Sequence, residues 1–442
     1  MTRPVVRSRD YLSPLLSGTG RKLAMSVPSC SHDILRSVVV LTSRSEVQQA
    51  LIDEDLIEAF FKVPTWISTV AGKDDAAIIP PIADKVRQSI LQNIYQLSAS
   101  NGFVAKYGSG AMLSSLTPLS LDAIETAASL PSGVADVDKI SPIPACIILA
   151  NSIRQKEDAL FLVHNKGIHL PLTMLLLEQA DQSIIFPAMA LLCRLAITPA
   201  NKPALFATGI IQSMARFFNH FDLHPAVQRE ALSALQSIVE GSLDRMFAIG
   251  ARPVQEDLGG DQGTSFPFSE NSSSMLAALR LFQRTSDLEV KTQVGRLVVE
   301  ICRTLFQSRN DHPTKVDNAC GKLFDEKPFL VECLVFLVCE APTKGSQMQG
   351  WFALAVLSTW NWGQSVVLQS LENDAMRNRI ESALDEDDHA VKQNIGRMLT
   401  AVDHLQGQNI NEYIRSFVQQ CISRLSSTVS TPEMITSNAN IA

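Results

Sequence analysis

The sequence predicts an all-α protein assembled from a repeated helical unit. Three observations carry that prediction: one apolar helix pattern recurs at a fixed spacing, a second landmark keeps step with it, and the composition disfavours sheet. Aromatic residues make up 6% of the 442 positions, with four Tyr and four Trp. A sandwich or barrel draws on more Tyr, Trp and alternating β-branched residues, so helices are expected. Hydrophobic residues are 46% and charged residues 19%, which excludes a mostly disordered chain.

Ala145, Ala188 and Ala231 each open a stretch that is apolar at i, i+3 and i+4, and the last two also at i+7. That spacing buries one face of a helix. The polar position that follows is Asn151, Arg194 and Ser237, so the slot recurs every 43 residues. Gly167-Ile168 and Gly209-Ile210 form the second landmark, 42 residues apart. Each Gly follows a short helical stretch and suits a C-cap, because glycine adopts positive φ at little steric cost. The unit is helix, turn, helix, then the long helix with the polar slot. Three helices in about 40–47 residues is the armadillo length, whereas two would be HEAT.

Weaker copies extend the array. "RQSILQNIY" places Asn93 at the slot, "LVVEICRTL" offers Arg303, and "FALAVLSTW" offers Ser358 or Thr359. "EVQQALIDEDLIEAFF" (Glu46 to Phe61) has the layout of the segment around Gly209, with Asp55 in the glycine's place. The expected fold is an armadillo-type α-solenoid of about seven to eight three-helix repeats over residues 31–425. Each repeat packs only on its neighbours. Surplus length between slots, together with turn-rich composition, places extruded loops at about 113–141, 252–274 and 308–322. Residues 1–30 and 426–442 are expected to be disordered tails, and Asn409 to Leu425 an amphipathic capping helix.

The eight cysteines show no CxxC spacing and sit mainly in apolar runs. They read as small packed hydrophobes in a reducing compartment, and a cytoplasmic location is expected. No clustered ligand set suggests zinc. The first 30 residues lack a continuous apolar core of the signal-peptide kind. The most apolar stretch, Phe329 to Ala341, is broken by Glu332 and Glu340 and is too short to cross a bilayer. No direct membrane insertion is expected, and a monomer is.

Chemistry-bearing motifs are sparse. Neither a Walker nor a Rossmann glycine loop occurs, and the glycines at Gly108, Gly110, Gly259 and Gly260 read as turns. His220 and His224 stand four apart, but Pro225 follows at once and a solvated helix end is the simpler reading. His164 and His169 flank the Gly167 turn and share no helix face. Paired carboxylates occur only in polar runs, where nothing raises a pKa. No cofactor is expected, and an enzyme is the third-ranked reading.

Two surfaces are candidates for binding. Third helices line the concave face of a curved solenoid, so Asn93, Asn151, Arg194, Ser237 and Arg303 would form a groove ladder. Amide side chains there can donate to and accept from an extended partner chain; the alternative is ordinary polar helix positions. The acidic runs Asp53, Glu54, Asp55 with Glu58, and Asp385, Glu386, Asp387, Asp388, are solvated loops or a patch that attracts a basic partner. The net charge of −7 argues against a broad grip on nucleic acid and suits such a partner. Trp351, Trp360 and Trp362 are either packing residues or an exposed anchor.

At "LCRLAITPANKPALFATGIIQSMARFF" (Leu192 to Phe218) the sequence resembles the armadillo-repeat GDP-dissociation stimulators of small GTPases, the smg-GDS type. Leu195, Ala196, Ile197, Asn201, Lys202 and Gly209 match the family's Asn-Leu-Ala-Ile-Pro, Asn-Lys and Ala-Gly pattern. "ILANSIRQKEDALFLVHNKGI" resembles its Leu-Gly-Asn-Phe-Ala-Arg repeat at Asn151 and Arg154, and "MQGWFALAVL" resembles a later repeat. The resemblance implies binding of Rho- and Rap-type GTPases with basic, prenylated tails. It also implies release of their GDP or escort of the lipidated form. Of the groove residues only Asn151 keeps the family's Asn; Arg194 and Ser237 replace it. The other reading of the same features is an adaptor that holds different protein or peptide cargo in the groove.

Overall fold

The computed structural model describes residues 13–14, 16, 28–65, 67, 80–107, 113–129, 140–178, 181–219, 223–250, 273–314, 316, 327–405 and 411–428. Regular structure among the described residues is entirely helical. The chain divides into two compact units, residues 1–210 and 211–442. Within each the helices recur as triplets, the arrangement of an armadillo-type solenoid.

The first unit contains α1 (Pro28–Thr42), α2 (Ser45–Asp53), α3 (Ile57–Phe61), α4 (Pro80–Ala99), α5 (Asn101–Tyr107) and α6 (Leu113–Ser129). It continues with α7 (Pro142–Ser152), α8 (Lys156–Leu160), α9 (His169–Glu178), α10 (Gln182–Ala196) and α11 (Lys202–Ala207). The third helix of each triplet is α1, α4, α7 or α10, and these pack in series, each on the next. The second helices α6 and α9 also pack together. The layer between them is apolar: Ile90, Ile94, Ala145, Cys146, Leu149, Ala188, Leu191 and Leu192 are all buried. The burial follows from the i, i+3, i+4 spacing, which turns one stripe of each helix inward.

The second unit begins within α12 (Ile210–Ser213) and contains α13 (Ala215–Asn219), α14 (Pro225–Val239), α15 (Leu243–Gly250), α16 (Ser274–Arg284) and α17 (Leu288–Ser308). Then come α18 (Lys327–Cys339), α19 (Lys344–Leu357), α20 (Asn361–Leu371), α21 (Asp374–Asp385), α22 (His389–Asp403) and α23 (Glu412–Thr428). Third helices α14, α17, α19 and α22 pack consecutively, and α23 closes the series on α22. Side-chain caps set the starts of α16, α17, α19, α21 and α22: Ser273, Asp287, Thr343, Asn373 and Asp388 each accept a backbone N–H from the first turn that follows. Such caps satisfy donors that the helix itself leaves unpaired.

The turn between first and second helices needs a left-handed residue. Gly167 (φ 66°) and Gly209 (φ 75°) supply it, and Asp55 (φ 55°) holds the same conformation without being glycine. A side chain there costs steric energy. Asp55 offsets that cost through its carboxylate, which accepts from Lys106 Nζ at 2.5 Å and from the Tyr107 hydroxyl at 3.2 Å.

Several expected boundaries move. Residues 113–129, expected within an extruded loop at 113–141, form α6. Leu116, Ala123 and Ile124 bury its inner stripe, while Pro118 sits on the exposed outer side. Thr117, Pro118 and Ser120 resemble turn chemistry in sequence, and tertiary packing overrides them. The 252–274 loop ends earlier than expected, since Ser273 caps α16 and Ser274 is its first residue; residues 252–272 lie outside the described set. In the 308–322 stretch Val316 is fully buried. In the 1–30 stretch Leu16 is 2% exposed and α1 already begins at Pro28. Of the expected 426–442 tail, residues 426–428 belong to α23, which runs to Thr428; residues 429–442 lie outside the described set.

Candidate binding surface on the third helices

In the first unit the polar slots fall on α4, α7 and α10, the helices that pack in series. Asn93 is 5% exposed, and its amide donates to Val39 O at 3.0 Å and to Thr42 Oγ1 at 2.9 Å. Asn151 is half-buried and donates to Ser98 Oγ at 2.8 Å. Each amide thus reaches back to the end of the preceding third helix. Arg194 is exposed and makes no hydrogen bond or ion pair to any described residue. The three residues share a helix layer but do not converge on one point.

In the second unit Ser237 is half-buried on α14 and Arg303 half-buried on α17. Sequence reasoning missed the larger feature to which Arg303 belongs. Glu289, Gln293, Arg296, Glu300, Arg303 and Gln307 follow one another at spacings of four, three, four, three and four, a single polar stripe along α17. The stripe bonds to both neighbouring third helices. Glu289 pairs with Arg229 of α14, and Gln293 donates to Gln236 Oε1 at 2.8 Å. Arg296 donates to Ser346 Oγ of α19 at 3.3 Å, and the Arg303 guanidinium lies 5.6 Å from the Phe352 ring centroid. Arg303 also donates to Glu300, a carboxylate only 3% exposed. The 4-3 spacing was the available signal.

The acidic runs are substantially neutralised. In the first, Asp53 accepts from Gln49, and Glu58 pairs with Lys62 at 2.7 Å. Glu54 is half-buried. The Lys106 hydrogen bond holds the Asp55 carboxyl below its ordinary range and pushes the Lys106 ammonium up. In the second, Asp385 pairs with Arg424 at 2.6 Å, Glu386 with Arg379 at 2.5 Å, and Asp388 with Lys344 at 2.9 Å. Asp388 also caps α22, and the Lys344 hydrogen bond depresses its carboxyl. Asp387 is exposed and makes no ion pair to any described residue.

Trp351 and Trp360 are 1% and 3% exposed, so the tryptophans serve as packing. Trp360 stacks on Trp362 with centroids 5.8 Å apart. Asn201, one of the residues that carried the family resemblance, is fully buried and donates to Ala159 O and Leu195 O. Lys202 is 3% exposed. His169 has its basicity lowered by burial and by nearby His164, so the two imidazoles interact across the Gly167 turn without sharing a helix. Among the described residues Cys146, Cys193, Cys302, Cys333, Cys339 and Cys421 are free thiols. Burial pushes the Cys339 and Cys421 thiols up to about 11. No group of three His, Cys, Asp or Glu among the described residues is placed to hold a metal ion. No single described helix is long and apolar enough to cross a membrane.

No family model matches the chain, and no curated protein does. Among solved structures it is similar to a designed armadillo repeat protein at 15% identity and TM-score 0.44, over 63% of this chain and 99% of that one. An engineered protein from a structural genomics programme gives 18% identity and TM-score 0.44, over 63% and 96% of the two chains.

Proposed function

We propose that the chain is a non-catalytic protein-binding scaffold whose third-helix surfaces hold its partner. We propose further that the partner is a small GTPase of the Rho or Rap type with a basic, prenylated tail. The scaffold would promote GDP release from it or escort its prenylated form. The observation that supports the scaffold reading is the six-residue polar stripe of α17, built across three consecutive third helices. The GTPase reading rests on the sequence resemblance around Asn151 and Leu195 to Gly209, and on the net charge of −7. Exchange needs no catalytic residue: a scaffold that binds the nucleotide-poor GTPase more tightly shifts its population.

The adaptor reading draws on a specific observation. Asn151 and Asn201, which match the family, direct amide donors inside the chain, as Asn93 does, so these amides stabilise the repeat. The deciding experiment is labelled-GDP release from prenylated and unprenylated Rho and Rap GTPases, with the wild type and Arg194→Ala/Arg303→Ala. Acceleration that the double variant loses supports the GTPase reading. Absence of both binding and acceleration across those partners removes it and leaves the adaptor.

A further inference from the structure

A cavity of about 220 Å³ opens among α16, α17 and α18, with Asn373 at its edge. Its α17 residue, Lys291, lies about 200° around the helix from Glu289. The cavity therefore belongs to a different surface from the polar stripe. Phe282, Val331, Val335 and Phe336 form its apolar floor, each more than nine-tenths buried. The two rings meet edge to face at 5.5 Å. The Lys291 ammonium stands 5.2 Å from the Phe282 centroid and 5.7 Å from that of Phe336. It makes no ion pair or hydrogen bond to any described residue, so its N–H donors are available along the cavity wall.

Charge at the rim has the opposite sign. Glu332 and Glu340 line the cavity and are exposed, and Glu372 is exposed next to Asn373. Glu332 accepts one neutral hydrogen bond, from Gln283 at 3.1 Å. None of the three forms an ion pair with a described residue. A volume near 220 Å³ is below the roughly 300–1,000 Å³ of small-molecule pockets. It suits one side chain of a larger partner, the anchor type that dominates protein interfaces. Lys291 already occupies the cation-binding side of both rings, so the anchor on the floor is apolar and the partner's cations belong at the rim.

We propose that this cleft docks a short basic segment of a partner protein, one aliphatic side chain resting on Phe282, Val331, Val335 and Phe336. Flanking Lys or Arg side chains meet Glu332 and Glu340, and a backbone carbonyl of the segment accepts from Lys291. This site is independent of the third-helix surface and does not require the partner to be a GTPase.

The test uses the full chain and fluorescent, end-blocked peptides followed by anisotropy. Lys-Arg-Leu-Arg-Lys is compared with the same peptide carrying Ala at its centre and with Glu-Asp-Leu-Asp-Glu. Saturable binding is expected only for the basic Leu peptide. The surface variant Glu332→Lys/Glu340→Lys should weaken it by roughly tenfold or more with unchanged helical circular dichroism. Salt raised from about 50 to about 200 mM should weaken it too. Arg303→Ala should leave it unchanged. Equal binding of the Ala peptide, equal binding of the acidic peptide, or full binding by the double Glu variant each overturns the proposal. An effect of Arg303→Ala as large as that of the Glu variant would move the peptide to the third-helix surface and overturn it as well.

Discussion

The two units join their third helices with different chemistry. In the first, neutral amides do the work: Asn93 reaches Val39 and Thr42, and Asn151 reaches Ser98. In the second, α17 reaches its neighbours through Glu289, Gln293, Arg296 and Arg303, so charge and cation–π contact are added to a buried amide, Gln293. The repeat geometry tolerates either joint because apolar burial along the same helices supplies most of the stability. The polar residues set register. A neutral amide held against the preceding helix has few alternative partners and fixes one register, whereas a stripe whose Glu289, Arg296 and Arg303 keep some exposure stays adaptable and can answer to a partner.

That contrast can be broken at each joint, beginning with the deepest. Asn93→Leu leaves Val39 O and Thr42 Oγ1 without their buried donor and should cost about 1–3 kcal/mol. The loss should appear as lower hydrogen-exchange protection in α1 and α4; a loss under about 0.5 kcal/mol would mean the amide is incidental. Asn151→Ala and Gln293→Ala each remove one ordinary hydrogen bond and should cost about 0.5–1.5 kcal/mol. The first should show in α4 and α7, the second in α14 and α17. Equal losses spread over both units would contradict nearest-neighbour coupling.

Arg229→Ala removes a pair whose side chains are 40% and 66% exposed, so it should cost under about 1 kcal/mol and nothing at high salt. A salt-insensitive loss would show that the pair is structural. The gentlest probe is acid. Burial and the neighbouring His164 hold the folded His169 imidazole below its ordinary pKa of 6.5, so the unfolded state binds a proton first. Stability from this group is complete above pH 6.5 and declines as pH falls toward the folded pKa. Asp388 is depressed from 3.8, and its contribution holds until pH falls through that lower range. Protection near α9 should therefore weaken as pH falls below 6.5, while protection near α22 holds until pH falls below 3.8. His169→Gln should flatten the first response; loss of protection at α22 over the same window would be the contrary result.

Much of this architecture was legible because it repeats. The 43-residue slots land on α7, α10 and α14, and the positive-φ turns fall at Gly167, Gly209 and Asp55. What escaped was non-local. α6 hid behind Pro118 and its hydroxyl neighbours, since only contact with α7 and α9 shows that its apolar stripe is buried. The partners of Asn93 lie 51 and 54 residues away and that of Asn151 lies 53 away. The cavity is assembled from four residues of α18 and single residues of α16 and α17, with Glu340 and Asn373 beyond them. No local pattern announces that gathering.

Asp55 has a consequence for how the chain comes apart. Glycine in that turn would satisfy the backbone and nothing else. The aspartate also ties its turn to Lys106 and Tyr107, in the first helix of the following triplet. In the language of a one-dimensional zipper, it raises the coupling between adjacent units without raising the stability of either. Fraying that starts at α1 should then proceed in a step of two triplets rather than one, and Asp55→Gly should restore single steps.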